Sequence, residues 1–225
     1  KKFPTLFQHC KNQVVESCKS IVKDGILNEK PHVIAILADA IVYISNNDEK
    51  EHTNLLAEKM CYTSVTNIPL SNMISTIPWL IDAVSENSSD GLVSEVAQEM
   101  FSICVSSQVT EGNDPDLIGG FALKSNNMKV VDARCIRMLP MLARFAETPN
   151  PNQSKAILSL TKALRYLTQL TTTEQRANTF TNPKLAIGGV RAATWDASMP
   201  TEATAMALLG VTKAIRAFNV ASKSR

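Results

Sequence analysis

Six side chains carry the chemistry that this sequence offers. Arg191, Trp195 and Asp196 share one loop, Glu202 follows just beyond it, and Asp132 and Arg134 hold a comparable place further upstream. An Arg–Asp pair beside an indole can hold an anionic or sugar-like ligand through bidentate hydrogen bonds and ring stacking. The competing assignment is an internal salt bridge with the indole packed over the loop, and it applies equally to Asp132 and Arg134. Two carboxyl groups facing each other across a cleft can instead do general acid–base work on a glycosidic bond, and convergence of Asp132, Asp196 and Glu202 within about 10 Å marks that case. Ser198, Pro200 and Glu202 also have a purely local use. They suit the start of a helix, as cap, first-turn proline and acid at the positive end of the dipole.

The remaining chemistry is thin. His9, His32 and His52 lie in the N-terminal quarter, none at metal-ligand spacing from a cysteine. Five cysteines (Cys10, Cys18, Cys61, Cys104, Cys135) are widely spaced without a CxxC pair and suit small buried thiols. No GxSxG, GxGxxG or Walker spacing occurs, and Asp114-Pro115-Asp116 has the makings of a turn. The sequence therefore assigns no catalytic residue, no metal site and no cofactor.

The elements that must position these groups are helical. Apolar residues recur at steps of three and four from end to end, predicting an all-α chain of eight helices that pair into antiparallel hairpins. Phe3, Phe7, Cys10, Val14, Cys18 and Ile21 mark the first helix; Pro31 opens the second, 49–62 forms the third, and Met73 to Val84 lie on the fourth. Leu92, Val93, Val96, Met100 and Cys104 align on a fifth. The sixth spans 128–146, with Pro140 as an irregularity and Val130-Val131 too short for a strand. Ile157, Leu160, Leu164, Leu167 and Leu170 stripe the seventh. A connection of 27 residues, 171–197, follows, and loops beyond about 12–15 residues are usually functional or disordered. The eighth helix, 198–220, is apolar nearly all round its middle, which predicts burial on more than one side. Leu208→Asp should then unfold the domain.

One motif repeats. Ile118-Gly119-Gly120-Phe121 recurs 69 residues later as Ile187-Gly188-Gly189-Val190, and Leu139 and Leu208 match in the same register. Each copy lies between an amphipathic helix and a more apolar one. Paired glycines open backbone geometry closed to other residues and let a loop pack closely on a neighbour.

The pattern 163–170, Asn182-Pro183, then IGGVRAATWD and an Ala/Leu-rich helix resembles the prenyltransferase and squalene-oxidase repeats of terpenoid-cyclase-like α/α-toroids, over roughly 114–218. The resemblance implies concentric inner and outer helices, as a full or partial toroid, with sites at the rim where inner helices begin. It does not carry the enzymes' machinery. The DxDD cluster that starts carbocation cyclisation is missing, and aromatic residues, which line such cavities, are only 5% of the chain. The zinc set of protein prenyltransferase relatives is missing too.

Composition narrows the partners. Twenty-three Lys+Arg against 21 Asp+Glu leave the chain nearly neutral without a basic block, against nucleic acid. No apolar run reaches the roughly 18–20 residues of a membrane span. The chain reads as a single helical domain over 1–225, and its start without a Met suggests an excised or mature fragment. The expected function is a non-catalytic ligand- or protein-binding domain, whose partner is a small molecule, a protein or further helices of a longer chain. The alternatives are a toroid enzyme acting on an isoprenoid or polysaccharide, and a HEAT-like scaffold of stacked repeats. The compartment stays open.

Overall fold

The computed structural model describes residues 8–9, 11–17, 20, 74, 78, 81–82, 91–125 and 128–223. The chain divides into two compact units, Lys1–Met100 and Phe101–Arg225. Residues 11–17, inside the first expected helix, are helical. The second and third expected helices lie outside the described residues. The second unit carries all six candidate residues.

The described part is mostly helical. Helix α1 (Gly91–Ser107) leads through a 3-10 turn (Pro115–Leu117) into strands β1 (Leu123–Ser125) and β2 (Met128–Val130). A second 3-10 turn (Ala133–Met138) runs directly into α2 (Leu139–Glu147), followed by α3 (Gln153–Leu170), the short α4 (Glu174–Ala177) and α5 (Pro183–Ala186), and α6 (Thr201–Lys223). Within the second unit α2 is the centre. It is buried along nearly its whole length, packs on α3 and α6, and stacks Phe145 on Phe101 of α1 with ring centroids 4.5 Å apart.

The expected sixth helix is therefore corrected. Only 139–147 is α-helical; 128–130 pairs antiparallel with 123–125 in the register Leu123↔Val130, Lys124↔Lys129, Ser125↔Met128. Alternation is seen in β1, where Leu123 is buried and its neighbour Lys124 exposed, whereas Met128 and Lys129 of β2 are both exposed. Pro140, counted as an irregularity within a long helix, instead sits in the first turn of a short one, where its missing N–H costs nothing.

The long connection 171–197 is ordered by two single-turn helices and by pairing of Thr171 with Val190. It repeats the shorter connection after α1, bond for bond. There Gln108 pairs with Phe121. Val109 N donates to Gly120 O at 2.8 Å and Gly119 N to Val109 O at 2.8 Å; Thr172 N donates to Gly189 O and Gly188 N to Thr172 O, both at 2.9 Å. Gly120 N meets Leu117 O, and Gly189 N meets Ala186 O, each at 3.0 Å. Gly119 and Gly188 share positive φ, +99° and +81°, which is why glycine recurs there. Past the glycines the register still holds. Phe121 N donates to Cys135 Sγ at 3.2 Å, and 69 residues on Val190 N donates to Thr204 Oγ1 at 3.1 Å.

Helix α6 buries a stripe of small residues, Ala203, Ala207, Gly210, Ala214 and Ala217, together with the larger Met206. A Cβ on Gly210 would lie 2.8 Å from Leu139 Cβ, so its absence brings α6 close against α2. The flank one residue round the helix is bare: Leu208 is 71% and Ile215 57% exposed. The expectation of burial on more than one side fails here. Small side chains face the core, and the larger aliphatics occupy the neighbouring flank.

Candidate functional site

The turn at 132–138, the segment after the second glycine pair and the start of α6 enclose a cleft of about 170 Å³. Ala133 N donates to Ala192 O at 2.8 Å and ties the first two together. Its lining includes Asp132, Arg134, Arg137 and Glu202 above a floor of Ala133, Ala192, Pro200, Ala203 and Met206. Three of the six sequence-derived candidates, Asp132, Arg134 and Glu202, thus meet at one place.

Their charges are mutually satisfied. Asp132 Oδ1 accepts the backbone N–H of Arg134 at 2.9 Å, an Asx turn that starts the 3-10 segment. The same carboxylate accepts Arg134 Nε at 3.0 Å and Nη2 at 2.7 Å, a two-point grip. That hydrogen bonding raises the Arg134 guanidinium above its ordinary pKa, against the opposing effect of desolvation. Across the cleft Arg137 pairs with Glu202, joining the turn before α2 to the first turn of α6.

The other three candidates go elsewhere, and the expected Arg191–Asp196 pair is absent. Arg191 turns back toward the end of α3, donating from Nη2 to Gln169 O at 2.6 Å and from Nη1 to Thr194 O at 3.1 Å. Arg176 Nη1 reaches the same Gln169 carbonyl at 2.7 Å. Two guanidiniums on one C-terminal carbonyl suit the negative end of the helix dipole. Arg191 Nε is buried without a partner. Trp195 is 63% exposed. Asp196, fully exposed, accepts Ser198 N at 2.9 Å, and that bond lowers its carboxyl below the usual range. Ser198 is spent on this turn rather than on capping: α6 begins at Thr201, with Pro200 O accepting from Ala203 N at 3.0 Å. The three carboxylates therefore do not gather in one cleft, since Asp132 and Glu202 line it and Asp196 does not.

Arg137 is the member that sequence reasoning missed. It lies three residues after Arg134 inside what reads as a helix, where a lone arginine on a polar face gives no signal. Among the described residues, no group of three or more His, Cys, Asp or Glu is placed to hold a metal. No helix among them is long and apolar enough to cross a membrane. Cys104 and Cys135 are free, buried thiols. Desolvation pushes both upward, Cys135 to about 12, although the Phe121 N–H donated to its sulfur favours the thiolate. Neither is a poised nucleophile.

Comparison with protein-family models, with curated proteins and with solved structures gives no match. The functional assignment accordingly rests on geometry alone.

Proposed function

We propose that this chain is a non-catalytic binding domain built from repeated helical hairpins, and that it takes a small ligand or a partner's side chain in the cleft between the 132–138 turn and α6. The observation that carries this is the state of the cleft's charges: Asp132 is gripped by Arg134, and Glu202 by Arg137. A ligand with a charged end and a short apolar body can exchange with one of these partners and rest on Pro200, Ala203 and Met206. The cavity of about 170 Å³ is below the roughly 300–1,000 Å³ of sites for drug-sized molecules, which disfavours an isoprenoid chain or polysaccharide.

The repeated bonding of the two glycine-pair connections supports the resemblance to α/α-toroids. The second reading, general acid–base catalysis, draws on Asp132 and Glu202 sharing one cleft. One experiment separates the two. Isotope-labelled protein is titrated with a panel of N-acetyl amino-acid amides and followed by amide chemical shifts. Binding predicts shifts confined to 132–137 and 202–206, lost in Arg134→Ala. Absence of shifts there overturns the cleft. Turnover of an isoprenoid diphosphate or a soluble glycan that disappears in Asp132→Asn and Glu202→Gln would replace binding with catalysis.

A further inference from the structure

The two ion pairs of the cleft differ in what opening them would cost. In each, one member is sheltered and the other faces solvent. The Asp132 side chain is 17% exposed beneath Arg134 at 40%, and across the cleft Arg137 is 14% exposed beneath Glu202 at 55%. A ligand arriving from solvent replaces the exposed member and meets the sheltered one. Two signs of charge therefore compete: a cation taking the place of Arg134 on Asp132, or an anion taking the place of Glu202 on Arg137.

The first exchange is obstructed. Asp132 and Arg134 lie on one turn, and the carboxylate accepts Arg134 N, then Nε on both oxygens, then Nη2. An incoming amine would have to break the two-point grip of a planar fork that stays tethered beside it, and it offers no fork in return. The second exchange is easier. Glu202 comes from another element, 65 residues along the chain, and its Oε1 accepts from Arg137 Nη2. It stands in the first turn of α6, where the positive end of the helix dipole favours a carboxylate whether or not it touches Arg137. Releasing Glu202 thus costs little, and a ligand carboxylate can take over the same guanidinium nitrogen.

We propose that the cleft binds a short aliphatic carboxylic acid as its anion, with the carboxylate on Arg137 and Glu202 as the built-in occupant that it displaces. The inference rests on the reading of the cleft as a binding site, and adds the sign of the ligand's charge and its size. Size follows from volume. A protein cavity of about 150 Å³ holds benzene, a body of six carbons, so the cleft's volume of about 170 Å³ suits a carboxylate on a chain of similar bulk. The floor of Ala133, Ala192, Pro200, Ala203 and Met206 offers methyl, methylene and thioether surface, and no side-chain hydroxyl or amide lines the cleft to receive a sugar acid.

The probe is isovalerate, with its neutral amide and the matching amine, isopentylamine, as charge controls. Each is titrated into the isotope-labelled full chain and followed by amide shifts, with thermal melts alongside. Isovalerate should give saturable shifts at 132–137 and 202–206, the amide should bind at least tenfold more weakly, and the amine should give none. Glu202→Gln keeps the shape and removes the competing charge, so it should tighten isovalerate about two- to fivefold, the worth of a partly exposed ion pair. Arg137→Gln should abolish binding. Arg137→Lys retains the charge without the fork and should weaken binding several-fold, which supplies the test should Arg137→Gln melt low.

Cleft shifts with isopentylamine and not with isovalerate would overturn the sign and leave the cleft standing as a binding site. Weaker binding in Glu202→Gln would overturn the displacement. A peptide ending in valine that binds the cleft more than tenfold tighter than isovalerate would replace the free acid with a partner's C-terminus. No cleft shift with any of the three compounds, while N-acetyl amino-acid amides do shift those residues, would end the carboxylate proposal alone; no shift with either set would end the binding reading as well.

Discussion

Replacing each left-handed glycine of the repeat with alanine gives a differential test of the packing described above. Both positions charge the same conformational penalty, because Gly119 at φ +99° and Gly188 at φ +81° lie where a Cβ is disfavoured, and such backbone strain costs about 1–3 kcal/mol. Only Gly119 carries a second cost. Its new methyl would lie 2.0 Å from the Lys162 carbonyl oxygen and 2.7 Å from its carbon, against an ordinary contact of 3.4 Å or more. The obstacle is helix backbone rather than a side-chain tip, so α3 must retreat by more than an ångström. Overpacking of that kind adds about 1–3 kcal/mol. Gly119→Ala should therefore be the more damaging by about 2 kcal/mol, which for a unit of this size separates the melting temperatures by roughly 5–10 °C. Urea titrations followed at 222 nm, with m-values checked for equality, provide the measurement. Equal losses, or a greater loss at Gly188, where a Cβ would have nothing within 4 Å, would refute the asymmetry.

Two further predictions use the same melts. Leu139→Ala, at a side chain 1% exposed, should cost about 2–4 kcal/mol, whereas Leu208→Ala, at 71% exposed, should change stability by less than about 0.5 kcal/mol; the opposite order would return Leu208 to the interior. The buried thiols fix the alkaline limb of stability. Both keep their protons to higher pH when folded than when unfolded, Cys135 to about 12. Their contribution is therefore complete below the unfolded thiol value near 8.5 and falls as pH rises from there toward 12, by up to about 1.4 kcal/mol per pH unit per thiol. Unfolding free energies measured from pH 7 to 11 should stay level and then fall, and Cys135→Ser should flatten the descent. A steady rise with pH would refute the sign.

Helix was legible where its period ran unbroken. The fifth and seventh expected helices correspond to α1 and α3, whose apolar spacing continues to a stop. The sixth went wrong at a specific place: Ile136, Leu139 and Leu142 step by three across a 3-10 turn as smoothly as along an α-helix, so periodicity alone cannot register the change. Pro140 held the missing information, because a proline in an apparent helix interior is better explained as the first turn of another. The glycine repeat was visible as a triplet, but its extent was not. The matched partners Cys135 and Thr204 share neither element nor size, only the ability to accept a backbone N–H. Half of the candidate residues converge on the cleft because Asp132 and Glu202 each start an element facing it. Arg191 and Asp196, though near in sequence, are drawn apart by a helix end and by a tight turn, neither of which leaves a trace in residue type.

The missing side chain at Gly210 has a reach beyond its own contact. It fixes the separation of α2 and α6 through Leu139, and the 3-10 turn that runs directly into α2 carries Arg137 toward Glu202 in the first turn of α6. The aperture of the cleft is thus gauged from a point that does not line it. A single methyl there would act as a wedge, prising the two rods apart and unlatching the ion pair without altering any group a ligand could touch.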